Sequence, residues 1–233
     1  MEPRLLRELN AERRARRAVV HVSDLAGGDD RLFREHERQD GPLGDALEAA
    51  FRSGKSGSVE IGGRQLFLNV HVPAPRLVVI GAVHISQALA PMASLAGFDV
   101  EIIDPRTAFA TPERFSGVRL VAEWPQDVLS TRPLDAYTAL AAVTHDPKID
   151  DLPLEWALRA GCFYVGALGS RKTHAKRVER LLEAGLSEAQ VASMKAPIGL
   201  DIGAASPAEI AVAVLAEIIG ALRRRTLGRE QPS

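Results

Sequence analysis

Downstream of residue 75 the chain alternates short, largely apolar runs with longer stretches whose apolar residues recur every three or four positions. The runs are Leu77 to Ile80, Val100 to Ile103, Leu120 to Ala122, Leu140 to Val143 and Phe163 to Val165. Continuous apolar runs separated by helical periodicity predict parallel strands, buried on both faces and joined by helical crossovers. The first unit is the clearest. Arg76 to Gly81 reads as a strand, His84 to Gly97 as a helix and Phe98 to Asp104 as the next strand, a βαβ unit ending in an acid, as in a Rossmann-like mononucleotide half. Two later helices are announced by their caps: Ser187 with Gln190, and Ser206-Pro207 with Glu209 ahead of the apolar run Ile210 to Leu222. Arg223 to Arg225, before Gly228, suit a helix C-terminus, where cations meet the negative dipole end.

The pattern breaks at His71-Val-Pro-Ala-Pro75, which predicts a linker. Upstream the residues predict an opening helix, a strand from Ala18 to Val22, a polar turn around Gly27-Gly-Asp-Asp30, a helix near Leu43 to Phe51, and strands Gly57 to Ile61 and Gln65 to Val70. Leu5, Leu6 and Leu9 recur at helical spacing, and Glu8 and Glu12 are interleaved with Arg13, Arg14, Arg16 and Arg17. That makes the basic stretch a solvated helix face rather than a nucleic-acid surface. The expected architecture is an α/β chain with a small α+β domain over residues 1–73 and a Rossmann-like, doubly wound parallel sheet over residues 74–233.

Composition narrows the function classes. Of 233 residues 46% are hydrophobic and 25% charged, the averages of a globular chain, and 29 Lys plus Arg against 30 Asp plus Glu leave a net charge of −1. With no global positive field, neither nucleic acid nor a membrane is an expected partner, and any bound anion is held locally. The single cysteine, Cys162, permits no internal disulfide and makes no zinc site by itself; at the start of a buried strand it reads as a small core residue. No stretch has the character of a signal peptide or the length of a membrane span, so the expected location is cytoplasmic. The apolar last helix and the small N-terminal half make a homodimer the expectation for assembly.

Candidate chemistry gathers where the strands end. The first turn, Gly81-Ala-Val-His84, keeps only the first glycine of a dinucleotide fingerprint. The Val83 side chain would crowd a pyrophosphate, while the helix N-terminus still offers N–H groups and a positive dipole to an anion. Asp104, 23 residues after Gly81, is placed for a ribose diol. His84 stands at the carboxyl end of the first strand, where ligands of open α/β sheets bind. Thr144-His145-Asp146-Pro-Lys148-Ile-Asp150-Asp151 concentrates titratable groups at the same edge, with Asp150 or Asp151 also suited to cap the next helix. Gly166-Ala-Leu-Gly169-Ser170-Arg171-Lys172 joins free N–H groups, a helix dipole and two cations into an anion site. Cations at a helix N-terminus oppose its dipole unless an anion lies between them. The P-loop pattern is absent. Gly199-Leu-Asp201-Ile-Gly203 reads as a tight loop approaching a ligand, or as an aspartate bonding its own backbone. No Ser/His/Asp arrangement, HExxH or paired-carboxylate spacing points to hydrolysis, and neither catalytic nor metal-ligating residues are assigned.

From Pro75 to about Arg223 the chain resembles the C-terminal Rossmann domain of the XdhC/CoxI family, accessory factors for xanthine dehydrogenase and related molybdenum hydroxylases. THDPKIDD, YVGALGSRKTHAKR and APIGLDIGAASPAEIAVAVLAEI carry the resemblance. Where the family reads GAGH this chain reads GAVH, so His84 carries over and the glycine at position 83 does not. Residues 1–73 contain no cysteine, whereas the family's longer N-terminal domain has one in a glycine-rich segment. The resemblance implies a protein that binds molybdenum cofactor, as molybdopterin or its cytosine dinucleotide form. It also implies assistance in the cofactor's sulfuration and its transfer to an apo-hydroxylase, with a cysteine desulfurase as a further partner. The crevice it implies is lined by Gly81, His84, Asp104, His145, Asp146, Lys148, Gly169, Ser170, Arg171, Lys172 and Asp201. The same residues leave two alternatives open. One is an NAD(P)-dependent oxidoreductase with Asp104 on the adenosine ribose and His145 or Lys148 as proton donor, against which the broken glycine fingerprint counts. The other is a partner-binding regulator without a ligand.

Overall fold

The structure, a computed structural model, describes residues 2–28 and 30–225; Asp29, Gly228 and the side chain of Arg171 lie outside what it describes. The chain divides into two compact units, one built on the residues up to Pro73 and the other on Ala74–Arg224.

In the first unit α1 (Pro3–Arg14) precedes β1 (Val19–Asp24), β2 (Arg31–Arg34), α2 (Gly41–Ser53), β3 (Gly57–Ile61) and β4 (Arg64–His71), and the strands form an antiparallel sheet in the order β2-β1-β4-β3. Gly62 and Gly63, with φ of 58° and 75°, supply the two left-handed positions that a tight β3–β4 hairpin requires. Strand β2 lies just beyond the stretch read as a polar turn; with one buried residue among four, Phe33, it is too short to show a period. The basic stretch after α1 is partly spent inside the unit, because Glu12 is buried and accepts from Arg17 at 2.6 Å and from Arg34 at 2.9 Å.

The second unit runs β5 (Arg76–Ile80), α3 (His84–Leu95), β6 (Asp99–Ile103), β7 (Arg119–Val121), α4 (Pro125–Thr131), β8 (Thr138–Ala142), α5 (Pro147–Arg159), β9 (Tyr164–Ala167), α6 (Arg171–Glu183), α7 (Glu188–Ser193) and α8 (Pro207–Arg224). Its five strands are all parallel, in the order β7-β6-β5-β8-β9. Successive residues of β5 serve opposite faces. Leu77 and Val79 pack with Leu89 and Ala93 of α3 and with Val214 and Ile218 of α8, whereas Val78 and Ile80 pack with Val128 of α4 and Leu154 of α5. Burial on both faces is why the strands read as largely apolar runs.

Both predicted capping boxes form: the hydroxyls of Ser187 and Ser206 accept from the N–H groups of Gln190 and Glu209, whose side chains accept in return. Helix α4 escaped sequence reading because seven residues do not establish a helical period. Cys162 stands two residues ahead of β9 and not within it, and burial pushes its thiol up to about 12. From β5 the chain goes through β6 to β7 on one side, whereas β8 and β9 lie on the other. The order reverses between β5 and β8, and the crevice beyond their carboxyl ends is the ligand position of this architecture.

Candidate functional site

The β5–α3 turn is held almost entirely by the chain's own side chains. Gly81 has φ of 121°, and a Cβ there would come 2.8 Å from Thr144 Cγ2, so glycine is required both by conformation and by the approach of the β8 loop. The N–H of Ala82 donates to Asp104 Oδ2 at 2.7 Å, the N–H of Val83 donates to Ser86 Oγ at 2.9 Å, and that hydroxyl donates to the Gly81 carbonyl at 2.5 Å. The Ala82 carbonyl accepts from Arg114 at 3.2 Å. The two amides nearest the strand end are therefore consumed internally. His84, the first residue of α3, is exposed at the crevice rim.

Asp104 is fully buried. Besides the Ala82 N–H, its oxygens accept from Arg106 N at 2.9 Å, Nε at 2.9 Å and Nη2 at 2.7 Å. Burial alone would raise this carboxyl, but the Arg106 guanidinium and the two backbone N–H groups outweigh it and hold the group below the usual carboxylate range. The acid thus braces the turn. The half-buried Arg106, which also feels the charges of Asp150 and Asp146, is the cation bordering the crevice.

Across the order reversal, the β8–α5 loop is organised by Asp150. This carboxylate is fully buried and accepts from the Thr144 hydroxyl at 2.7 Å and from the His145 N–H at 3.0 Å. These bonds fix His145 at φ of 68°, unusual for a residue with a side chain, and leave its imidazole exposed. Burial, only partly offset by Thr144 and the Arg177 charge, pushes the Asp150 carboxyl up to about 6. Asp146, rather than Asp150 or Asp151, caps α5, accepting from Lys148 N at 2.9 Å, and Lys148 is exposed.

One strand further out, Ser170 caps α6 by accepting from Thr173 N at 3.2 Å. Gly169 has φ of 152°, and Lys172 is exposed in the first helical turn. Beneath this turn lies Arg177, 1% exposed, whose Nη2 donates to the Leu168 carbonyl at 3.3 Å. Its Nε and Nη1 have no hydrogen-bond partner. The loop that carries the exposed Asp201 is tied down at one end, where Glu217 of α8 accepts from Gly199 N at 2.9 Å and from the Tyr164 hydroxyl at 2.6 Å.

The sheet thus brings the β5, β6, β8 and β9 ends to one edge. Sequence reading missed Arg106, the bracing role of Asp150, and Arg177. The last carried a signal: it stands four residues before the buried Leu181, a cation in an apolar helical stripe. Among the described residues no group of three or more His, Cys, Asp or Glu is arranged to hold a metal ion, and none of their helices is long and apolar enough to cross a membrane.

A family-wide sequence profile described as the XdhC Rossmann domain matches residues 77–218. The chain belongs to the XdhC family. Its relatives include an uncharacterized protein, YqeB, of Escherichia coli K12, 36% identical over 167 residues, which are 68% of this chain and 29% of YqeB. A probable xanthine dehydrogenase component of Bacillus subtilis 168 is 34% identical over 68% of this chain and 46% of its own length. The molybdenum cofactor insertion chaperone PaoD of Escherichia coli K12 is 31% identical over 63% of this chain and 40% of its own length. The matched segments are less than half the length of each of these relatives. A crystal structure described as a xanthine dehydrogenase from Bacillus halodurans superposes with a TM-score of 0.63 at 23% identity, over 96% of this chain and 65% of that one. It shares the fold. The XdhC match takes in every predicted site residue, from Gly81 to Asp201, and also Arg106, Asp150 and Arg177.

Proposed function

We propose that this XdhC-family chain is an accessory protein that holds molybdenum cofactor and passes it to an apo molybdenum hydroxylase. The observation that carries the reading is the β9–α6 turn. Ser170 satisfies only one of the first-turn amides of α6, a helix N-terminus favours an anion, and Lys172 adds a cation. A cofactor phosphate suits these donors, and the two nitrogens of Arg177 without a hydrogen-bond partner, beneath the same turn, fit an anion equally well. Gly169, Ser170, Arg171 and Lys172 would hold the phosphate. His84, His145, Asp146, Lys148 and Asp201 would face the pterin or its metal, and Gly81 and Asp104 would brace the turn beside them. When bound, the group supplies molybdenum redox chemistry to the recipient enzyme; the residues here bind, orient and release it. The names of PaoD and of the Bacillus subtilis relative agree in kind with this reading. Assistance with sulfuration, a desulfurase partner, molybdopterin or its cytosine dinucleotide form as the group held, a homodimer and a cytoplasmic location belong to the same proposal. The NAD(P) alternative is weaker, because both oxygens of Asp104 are already engaged by Ala82 and Arg106.

The test is purification from a host that makes the cofactor, oxidative release of bound ligand and quantitation of fluorescent pterin. Near-stoichiometric pterin is expected, with loss of about tenfold or more in the Arg171→Ala, Lys172→Ala double variant at unchanged thermal stability. Pterin-free protein that also fails to take up added cofactor would refute the proposal.

A further inference from the structure

Among the described residues, the buried guanidinium of Arg177 has two nitrogens without a hydrogen-bond partner. It is 1% exposed, and one of its three nitrogens makes a hydrogen bond, Nη2 to the Leu168 carbonyl. The neighbouring carboxylates do not complete it. Asp150 Oδ2 lies 3.9 Å from Nη2 with its lone pairs directed to Thr144 and His145, and Asp151 Oδ1 lies 3.8 Å from Nε while that carboxylate is gripped by Arg180 at 2.5 and 3.2 Å. A buried cation with two idle donors is costly unless something accepts from them.

Its position says what that is. A Cβ at residue 169 would stand 3.7 Å from Arg177 Nη1 and 3.5 Å from Thr173. The missing side chain of Gly169 therefore leaves a cradle directly over Nη1, at the N-terminus of a thirteen-residue helix. Helix amides come from above and the guanidinium from below, so the donors converge from two sides on a group small enough to enter where a methyl would fit. One oxygen of a tetrahedral oxyanion fits such a space, where Nη1 can donate to it while the helix amides donate to the others.

We propose that Arg177 is the buried floor of an oxyanion seat at the Gly169 turn, reading a phosphate group through Nη1 while the first-turn amides of α6 hold it from above. This rests on the reading of that turn as the seat of a cofactor phosphate, and it assigns the discriminating contact to a residue inside the fold rather than to the surface cations. The phosphate is either an ester on a larger ligand or a free oxyanion, and the two share the same donors.

The test uses the full chain labelled with nitrogen-15, its Arg177 Nε–H signal assigned with Arg177→Lys. Inorganic phosphate and cytidine 5′-monophosphate are titrated separately at constant ionic strength. The Arg177 side-chain signal and the Lys172 amide are expected to move together on one saturable curve, and Arg177→Lys is expected to weaken that curve about tenfold, since the shorter lysine side chain stops short of the Nη1 position. Tighter binding of the nucleotide identifies an ester as the natural source, and equal binding a free oxyanion. Movement of Lys172 alone, no movement of either, or undiminished affinity in Arg177→Lys overturns the assignment. Pterin retention distinguishes the two proposals. Phosphate binding at Arg177 in a protein that never retains pterin removes the cofactor reading and keeps the seat, whereas full pterin retention in Arg177→Lys does the reverse.

Discussion

Asp104 and Asp150 are both fully buried acids at the carboxyl edge of the sheet, yet they are driven in opposite directions. Arg106 and two N–H groups hold Asp104 ionised, whereas the Thr144 hydroxyl, the neighbouring backbone N–H groups and a cation 3.9 Å away do not offset the burial of Asp150. The consequence for stability has a definite sign. Between pH 3.8 and about 6 the folded chain keeps a proton on Asp150 that the unfolded chain has lost, so stability falls as pH rises through that window and levels off above it. The difference is worth about 3 kcal/mol at 1.36 kcal/mol per pH unit. Asp104 acts the other way, its contribution being lost only as pH falls below 3.8. Denaturant unfolding across pH 4 to 6.5 is expected to show the Asp150 slope, and Asp150→Asn is expected to flatten it. An identical slope in the variant would mean that another group carries the proton. At this scale the sequence was half legible. His84, His145 and Lys172 were singled out and stand exposed at the sheet edge. Asp150 and Arg177 were not assigned their roles, because residue type and spacing do not reveal which charged side chain the fold will bury.

At the scale of elements, the parallel strands and the cap-marked helices were legible because each is specified locally, by a short, mostly apolar run or by a serine that accepts from its own first turn. The elements that escaped, β2 and α4, have four and seven residues, too few for a period to repeat. Also illegible was the closure of the β5–α3 turn, since it depends on Asp104 and Arg114 arriving from distant parts of the chain. That turn makes a sharp prediction. Gly81→Ala combines a backbone near φ of 121° with a methyl 2.8 Å from Thr144 Cγ2, and is expected to cost about 1–3 kcal/mol. Because Thr144 donates to Asp150, the variant is also expected to raise the pH at which the stability slope levels off. A loss of stability with an unmoved pH profile would show that the turn and the β8 loop are independent.

For the molecule as a whole, the chain divides into two compact units after Pro73. The second has its own apolar layers on both faces of the sheet and contains every candidate site residue. Residues 74–224 expressed alone are therefore expected to unfold in a single cooperative transition and to retain the phosphate affinity of the full chain. A molten product, without near-ultraviolet dichroism, would show that the first unit is required for packing. The fold of this unit was readable because a doubly wound sheet repeats one simple pattern. The pattern of its site is spread over four strand ends and is assembled only in three dimensions.

The chemical quietness of Cys162 gives the molecule a use at the bench. With that thiol pushed up to about 12 and an exposed engineered cysteine titrating near 8.5, the thiolate fractions at neutral pH differ on the order of a thousandfold. Ile202, 53% exposed beside Asp201, can accordingly be exchanged for cysteine and tagged at neutral pH with an environment-sensitive dye in preference to the half-buried native thiol. Such a fluorophore would watch a ligand arrive and depart in real time.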